Sequence, residues 1–151
     1  MASTTPFALT STALSDGAAI PPRYTCDGAD ESPDLKWTGA PAGTETLALV
    51  VTDPDARDFV HWLAFDLPGV PDGGLAAGAS ATLPHQGRND FGKSGYGGPC
   101  PPSGEHHYRF DLYALDLALG IGGTPRLGDV EAAMQGHVLA QTRLTGTYRR
   151  H

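Results

Sequence analysis

The feature that most constrains this chain is a tract rich in glycine and proline, GRNDFGKSGYGGPCPPSGEHHY, at residues 87–108. Its first eight residues, Gly87 to Ser94, match the phosphate-loop pattern G-x-x-x-x-G-K-S. A phosphate loop must lead into a helix whose N-terminal N–H groups hold the phosphates. Glycines and prolines follow Ser94 at a density that no helix tolerates. We therefore interpret the match as a coincidence and expect a long ordered loop that delivers His106 and Tyr108 into a strand.

The size and charge of the chain exclude several classes of protein. A length of 151 residues fits one domain, residues 1–151, with a single core. The net charge of -7 argues against a nucleic-acid partner, which needs a basic face, and against general attraction to acidic membranes. A small pocket can still be locally positive, so a small anionic ligand remains compatible with the composition.

The N-terminal sequence MASTTPFALTSTALSDG has neither the basic region nor the continuous apolar run of a secretory signal. No segment approaches the roughly eighteen apolar residues that a membrane-spanning helix needs. We therefore expect no transmembrane segment and a cytoplasmic location. Cys26 and Cys100 are then expected to be free thiols, although the sequence leaves open whether the two approach one another.

Apolar runs separated by turns predict a mainly β protein, an antiparallel β-sandwich with one C-terminal helix. Residues 53–105 offer no helix between strands, as an α/β fold would require. The turn-rich acidic segment 16–36 and the Gly/Ala segment 69–80 are predicted to be loops. The predicted elements are a weak strand at 5–14, strands at Thr46–Thr52, Val60–Leu67 and His106–Asp116, a helix at Gly128–Gln141, and a closing strand at Leu144–Arg149.

Strand alternation places a polar residue at one end of each apolar face. If those ends adjoin, Asp53, His61, His106 and Tyr108 surround a small cavity. Adjacency cannot be derived from the pattern, and each residue alone is also compatible with a structural role. The predicted faces are Leu47, Leu49, Val51 and Asp53; His61, Leu63 and Phe65; and His106, Tyr108, Phe110, Leu112 and Ala114.

Four blocks of the chain resemble the bacterial branch of the phosphatidylethanolamine-binding protein family, also called the Raf kinase inhibitor protein-like family. They are YTCDG at 24–28 with Ser32-Pro33, DPDA at 53–56, His61-Trp62, and the 87–108 tract with its GPCPP and G-x-H-x-Y elements. The resemblance covers residues 7–149. It implies a large antiparallel sheet packed on a smaller one, with a C-terminal helix.

The resemblance also implies a pocket for phosphate-like and carboxylate-like anions, including phospholipid headgroups. One departure is His107, where the family commonly has arginine. Because side chains alternate along a strand, His107 lies on the face opposite His106. We therefore expect the change from arginine to His107 to alter a supporting salt bridge more than direct contact with the ligand. The pocket positions correspond to Asp53, Asp55, His61, Gly98, Pro99, His106 and Tyr108.

The leading hypothesis is a small-anion-binding protein that performs no chemical turnover and uses no cofactor. The two imidazoles and the Tyr108 hydroxyl would donate hydrogen bonds, and Asp53 and Asp55 would orient the imidazoles or receive an amine. From the resemblance alone, the alternatives are an inhibitor of a kinase or protease, and a homodimer. A third hypothesis is a metal site or acid–base hydrolase built from His and Asp, although neither H-E-x-x-H nor G-x-S-x-G spacing is present.

Overall fold

The computed structural model describes residues 5–150, and within that range it contains seven strands and one α-helix. Short 3₁₀ turns lie at Pro22–Tyr24, Pro54–Ala56 and Ala79–Ala81. The strands are β1 (Ala8–Thr10), β2 (Leu35–Thr38), β3 (Thr46–Asp53), β4 (Phe59–Pro68), β5 (Gly73–Leu75), β6 (Gly104–Leu115) and β7 (Val138–Arg150), and the helix is α1 (Leu127–Met134).

Two antiparallel sheets form the framework. The larger has the strand order β4-β3-β6-β7 and the smaller has the order β1-β2-β5. The predicted fold class, an antiparallel sandwich with a larger and a smaller sheet and one C-terminal helix, is confirmed. In the larger sheet β3 lies between β4 and β6, so the C-terminal end of β3 adjoins the N-terminal ends of both neighbours.

The main core fills the space between the two sheets. Leu49, Val51 and Phe110 of the larger sheet pack in one cluster with Leu35 and Trp37 of the smaller sheet. The alternating apolar positions of β3 and β6 supply this layer, as period-two patterning requires.

The opposite face of the larger sheet is covered by α1. Val130 and Met134 of the helix pack against Ala48, Phe65 and Leu115. Because both faces are covered, β3 and β4 are buried along nearly their whole length and read as continuous apolar runs.

A β-bulge near the start of β4 changes which side chains share a face. Val51 pairs with Trp62, but the next residue, Thr52, pairs with Val60, so His61 is an extra residue with no partner opposite. The predicted common face of His61, Leu63 and Phe65 is therefore wrong. Leu63 and Phe65 lie in clusters on the helix side of the sheet, whereas the His61 ring contacts the ring of Tyr108.

The helix is shorter than predicted, and the strand after it is longer. The expected helix at Gly128–Gln141 ends at Met134, and Gly136 then takes a left-handed conformation with φ of 82°. The apolar residue Val138, which fits the helical spacing, instead begins β7. The chain reverses through this turn, which the His137 side chain ties to Asp116 with a 2.8 Å hydrogen bond.

The predicted loop at 69–80 contains β5, and the predicted turn-rich segment 16–36 runs into β2. Gly73 of β5 packs so closely on Trp37 that a Cβ atom there would collide with the indole ring. The close packing thus requires glycine, which is a poor strand former, and with Leu75 as its one large apolar residue the strand shows no alternating apolar pattern.

Candidate functional site

A cavity of about 160 Å³ opens where the ends of β3, β4 and β6 meet. The polar residue at the end of each strand lies in it, because antiparallel pairing brings the three ends together. The far wall is the loop that precedes β6. The residues that line the cavity are Asp53, Ala56, Phe59, His61, Phe91, Cys100, Pro101, Pro102, His106 and Tyr108.

Asp53 and His106 form a close pair at the base of the site. Nδ1 of His106 lies 2.6 Å from Oδ2 of Asp53, and the aspartate side chain is 4% exposed. The second carboxylate oxygen accepts a 2.8 Å hydrogen bond from the backbone N–H of Asp55. Because an ionised carboxylate only accepts, Nδ1 of His106 carries the hydrogen, and Nε2 remains for a ligand. The expectation that Asp53 orients an imidazole holds for His106.

The His61 side chain is held by the glycine-rich loop. Its Nδ1 lies 2.6 Å from the carbonyl oxygen of Gly97, so Nδ1 donates the hydrogen bond and Nε2 has no protein partner among residues 5–150. The ring packs between Phe59, Phe91 and Tyr108, at centroid distances of 5.0, 5.4 and 5.1 Å. Burial lowers the pKa of His61 below its ordinary value, although the hydrogen bond to Gly97 and the Asp53 carboxylate oppose the change.

The Tyr108 hydroxyl is the only buried side-chain oxygen or nitrogen of the described residues that has no hydrogen-bond partner. The rest of the side chain is core, packed with Phe110 and Trp62. Burial, followed by the nearby Asp53 carboxylate, raises the pKa of Tyr108 above its ordinary value, so the hydroxyl keeps its proton. A buried donor without a partner is uncommon in proteins and is often associated with function.

The glycine-rich loop is built around Asn89, which is buried. Its Oδ1 accepts hydrogen bonds from the N–H groups of Phe91 and Lys93, and its Nδ2 donates to the carbonyl of Gly95. Most N–H groups of the tract that matches the phosphate-loop pattern thus donate to acceptors within the protein, and the next regular element after the tract is the strand β6, not a helix. These contacts agree with the interpretation of that match as a coincidence.

Gly98 and Pro99 position the loop and do not line the cavity. The N–H of Gly98 donates to Oδ1 of Asp30 at 2.8 Å, and the carbonyl of Pro99 accepts from the N–H of Cys26 at 3.1 Å. A Cβ atom at residue 98 would collide with the backbone carbonyl oxygen of Tyr24. The ligand-binding roles expected for Gly98 and Pro99 stay predictions.

Asp55 also lies outside the cavity lining and is paired with His107. Its Oδ2 accepts hydrogen bonds from both Nδ1 and the backbone N–H of His107, at 2.8 and 2.7 Å. The hydrogen bond from the His107 side chain, then that from its backbone, lowers the pKa of Asp55 below its ordinary value. His107 therefore takes part in a hydrogen-bonded pair outside the cavity, and Asp55 orients neither His61 nor His106 through its side chain.

Sequence reasoning missed the apolar part of the lining. Phe59 and Phe91 pack edge to face at 4.8 Å and, together with Pro101 and Pro102, flank the polar groups. Phe91 is 45% exposed, which is unusual for so large an apolar side chain. Phe91 belongs to the 87–108 tract that carries the family resemblance, and this was the available signal.

Cys26 and Cys100 form a disulfide with Cα atoms 5.4 Å apart, so the expectation of free thiols is wrong. The bond joins segments 74 residues apart in the chain. Disulfides persist in oxidising compartments and are rare in the reducing cytosol.

The electrostatics of the lining depend on its imidazoles. Of the described residues, no lysine or arginine lines the cavity, and Asp53 is the one carboxylate in its wall. Within residues 5–150 no group of three or more His, Cys, Asp or Glu side chains is arranged to hold a metal ion, and no helix of that range is both long and apolar enough to cross a membrane.

The family model described as phosphatidylethanolamine-binding protein matches residues 10–149. A UPF0098 protein of Methanothermobacter thermautotrophicus is 46% identical over 148 residues, covering 91% of this chain and 95% of the relative. In crystal structures, the homolog CT736 of Chlamydia trachomatis superposes with a TM-score of 0.90 at 37% identity, covering 96% of this chain and 98% of that one. YbcL of E. coli, described as a member of the mammalian PEBP family, superposes at 0.83 with 29% identity, covering 96% and 99%.

One further relative corrects the expected location. LppC of Mycobacterium tuberculosis, described as a candidate lipoprotein, is 41% identical over 152 residues and covers 95% of this chain and 72% of its own length. The cytoplasmic location expected from the sequence is contradicted by this relative, since lipoproteins are held at a membrane. The expectation rested on the absence of a signal-like N-terminal pattern, which carries less weight than a close relative of this kind.

Proposed function

The chain belongs to the phosphatidylethanolamine-binding protein family, whose members bind ligands or regulate other proteins, and on that premise we propose that it binds a small oxyanion in the cavity between His61, His106 and Tyr108. The ligand chemistry is a phosphate or carboxylate group, free or as part of a headgroup. The single observation that carries the proposal is the Tyr108 hydroxyl, a buried donor left without a partner beside two imidazoles.

The hydrogen-bond directions make binding depend on protons. Both Nδ1–H groups are used within the protein, by Gly97 and Asp53, so a neutral imidazole offers its Nε2 only as an acceptor. An anion needs donors, and the cavity contains no lysine or arginine among the described residues. Binding of a phosphate dianion therefore takes up a proton, which converts one Nε2 into a donor and supplies positive charge.

His106 is the better candidate for that proton. Burial disfavours the charged form of His61, whereas the His106 ring is held 2.6 Å from the Asp53 carboxylate. His61 then accepts a hydrogen bond from a protonated ligand oxygen or stays neutral against it. The apolar flank of Phe59 and Phe91 excludes water from one side and strengthens these contacts.

The test is calorimetry with inorganic phosphate, and with phosphoethanolamine to distinguish free phosphate from a headgroup. At about pH 8, titration in two buffers of different protonation enthalpy should show uptake of about one proton per site, and affinity should rise toward about pH 6. His106→Asn keeps the donor to Asp53 but lacks Nε2. It should weaken phosphate binding about tenfold to a hundredfold, since hydrogen bonds to charged groups contribute about 1.5–3 kcal/mol.

The matched control is His85→Ala, which removes an exposed imidazole that does not line the cavity. This variant should bind phosphate as the wild type does. Proton uptake that persists in His106→Asn would contradict the role of His106, and no binding of either ligand at any pH would contradict the proposed function.

Binding without turnover is part of the proposal. The Asp53–His106 pair would also suit a general base, so hydrolysis of a phosphomonoester should be measured beside binding. Turnover that His106→Asn abolishes would replace the binding function by an enzymatic one. Inhibition of a kinase or protease, and a homodimer, remain predictions that rest on the family resemblance alone.

A further inference from the structure

The wall of the cavity opposite the sheet is the segment from Cys100 to Ser103, and it has few attachments. Cys100, Pro101 and Pro102 line the cavity. Within residues 5–150, none of the residues 100–103 makes a backbone hydrogen bond, and the two prolines have no N–H to donate. The disulfide to Cys26 is the covalent tie that sets where this wall stands.

The residues on both sides of this segment are firmly held. Before it, the N–H of Gly97 donates to the carbonyl of His61 at 2.9 Å, and the Pro99 carbonyl accepts from Cys26. After it, Gly104 pairs with Arg150 in the larger sheet. The mobile range available to a released wall is therefore confined to residues 100–103, and the sheet that supplies the polar groups stays in place.

Cys26 is on the fixed side of the bond. The next residue, Asp27, accepts a 2.6 Å hydrogen bond from the Tyr148 hydroxyl and pairs with Arg150 at 3.1 Å, which ties it to β7. The same Arg150 side chain donates to Sγ of Cys100 at 3.5 Å. A guanidinium beside this sulfur stabilises it as a thiolate, which makes Cys100 the better leaving group in thiol–disulfide exchange.

We propose that the Cys26–Cys100 disulfide is a redox gate on the oxyanion cavity: the oxidised protein holds the proline wall closed over the ligand, and reduction releases it. The inference rests on the proposed function, because it concerns the regulation of the same site. Ligand affinity is high in the oxidised state, since the wall is ordered before binding, and lower in the reduced state, which must order it on binding.

The chemical step is a dithiol–disulfide exchange. A thiolate of an external dithiol attacks Sγ of Cys26, forms a mixed disulfide and releases Cys100 as a thiolate beside Arg150. The second thiol of the reductant then displaces Cys26 and closes the reductant's own disulfide. The protein gains two electrons and two protons, and the dithiol loses them.

The experiment compares phosphate binding by the oxidised protein and by protein reduced with dithiothreitol, which is uncharged and does not compete for an anion site. Calorimetry with inorganic phosphate should show affinity about tenfold weaker after reduction. The double variant Cys26→Ser/Cys100→Ser should bind as weakly as the reduced protein and should not respond to dithiothreitol.

A second readout is independent of the ligand. NMR relaxation should give lower backbone order parameters for Cys100 and Ser103 after reduction, and unchanged order parameters in β3. Circular dichroism shows whether the reduced protein stays folded. Unfolding on reduction would make the disulfide a structural staple only and would overturn the gate.

The remaining outcomes separate the two proposals. Equal phosphate affinity in the oxidised and reduced states overturns the gate and leaves the proposed function intact. No phosphate binding in either state overturns the proposed function, and the gate with it. Weaker binding on reduction with unchanged backbone order parameters at Cys100 and Ser103 overturns release of the wall as the cause.

Discussion

The imidazole of His61 meets the ring of Tyr108 edge to face, with centroids 5.1 Å apart and planes at 83°. The two groups pack without a hydrogen bond between them, since Nδ1 of His61 donates to Gly97 and the Tyr108 hydroxyl has no partner in the described chain. The Nδ1–H donor of His61 is thus satisfied, whereas the hydroxyl donor of its neighbour Tyr108 is not. This difference gives each residue a distinct experimental signature.

Replacing Tyr108 with phenylalanine should leave the unliganded protein as stable as the wild type or more stable by about 1 kcal/mol, because an unpaired buried hydroxyl is itself unfavourable. The same change should weaken phosphate binding about tenfold or more, since a hydrogen bond to a charged group contributes about 1.5–3 kcal/mol. Urea unfolding and calorimetry measure the two effects separately.

The matched control for that variant is Tyr148→Phe. Its hydroxyl donates to Asp27 at 2.6 Å, so this variant should lose about 1 kcal/mol in the free energy of unfolding. If Tyr108→Phe were destabilised as much as the control, the Tyr108 hydroxyl would have a partner in solution and its readiness for a ligand would be disproved.

His61 should make stability depend on pH. Its pKa in the folded protein is below the ordinary value of 6.5, so the unfolded chain binds more protons as the pH falls through that value. The contribution is fully present above 6.5 and is lost below it, with a slope of at most about 1.4 kcal/mol per pH unit. Unfolding by urea at about pH 7.5 and about pH 5.5 measures the loss.

The comparison variant is His61→Asn, whose amide can keep the donor to Gly97 but does not titrate. Other groups titrate equally in both proteins, so the difference between the two pH dependences isolates His61. The variant should lose less stability than the wild type between the two pH values. Identical losses would mean that His61 is protonated as readily in the folded protein as in the unfolded chain.

Gly98 should not tolerate alanine, because the added Cβ would collide with the Tyr24 carbonyl and with Oδ1 of Asp30. We expect a loss of about 1–3 kcal/mol in the free energy of unfolding. Gly122 is a matched loop glycine with no atom within 4 Å of a Cβ, and Gly122→Ala should change stability by less than about 0.5 kcal/mol. Thermal or urea unfolding decides, and equal effects at both positions would refute the packing argument.

Much of the sheet could be predicted because its central strands are buried on both faces. Residues 47–51 are a continuous apolar run, and the predicted strand Thr46–Thr52 differs from the observed Thr46–Asp53 by one residue. In the smaller sheet, β5 could not be predicted from the pattern, since it has only three residues and its Gly73 is required by Trp37. The end of α1 was misplaced because Val138 continues the helical spacing, although the strand begins there.

The site was predictable in part. Period-two alternation places Asp53 and His106 at strand ends, and antiparallel pairing brings those ends together. Alternation failed at His61, because a bulge shifts the face of every residue beyond it and has no marker in the side chains. The disulfide could not be derived either, since 74 residues separate its cysteines and spacing carries no distance information at that range.

Because β4 has one extra residue at its bulge, the cavity depends on the length of this strand as well as on which residues it contains. Deleting Val60 would restore a regular ladder, and His61 would then stand opposite Thr52 on the helix side of the sheet. Every polar group of the cavity would still be encoded, yet one imidazole would point away from it. A relative with both histidines and a one-residue gap at this point should therefore be classed as lacking the pocket, which a comparison of residue identities alone would overlook.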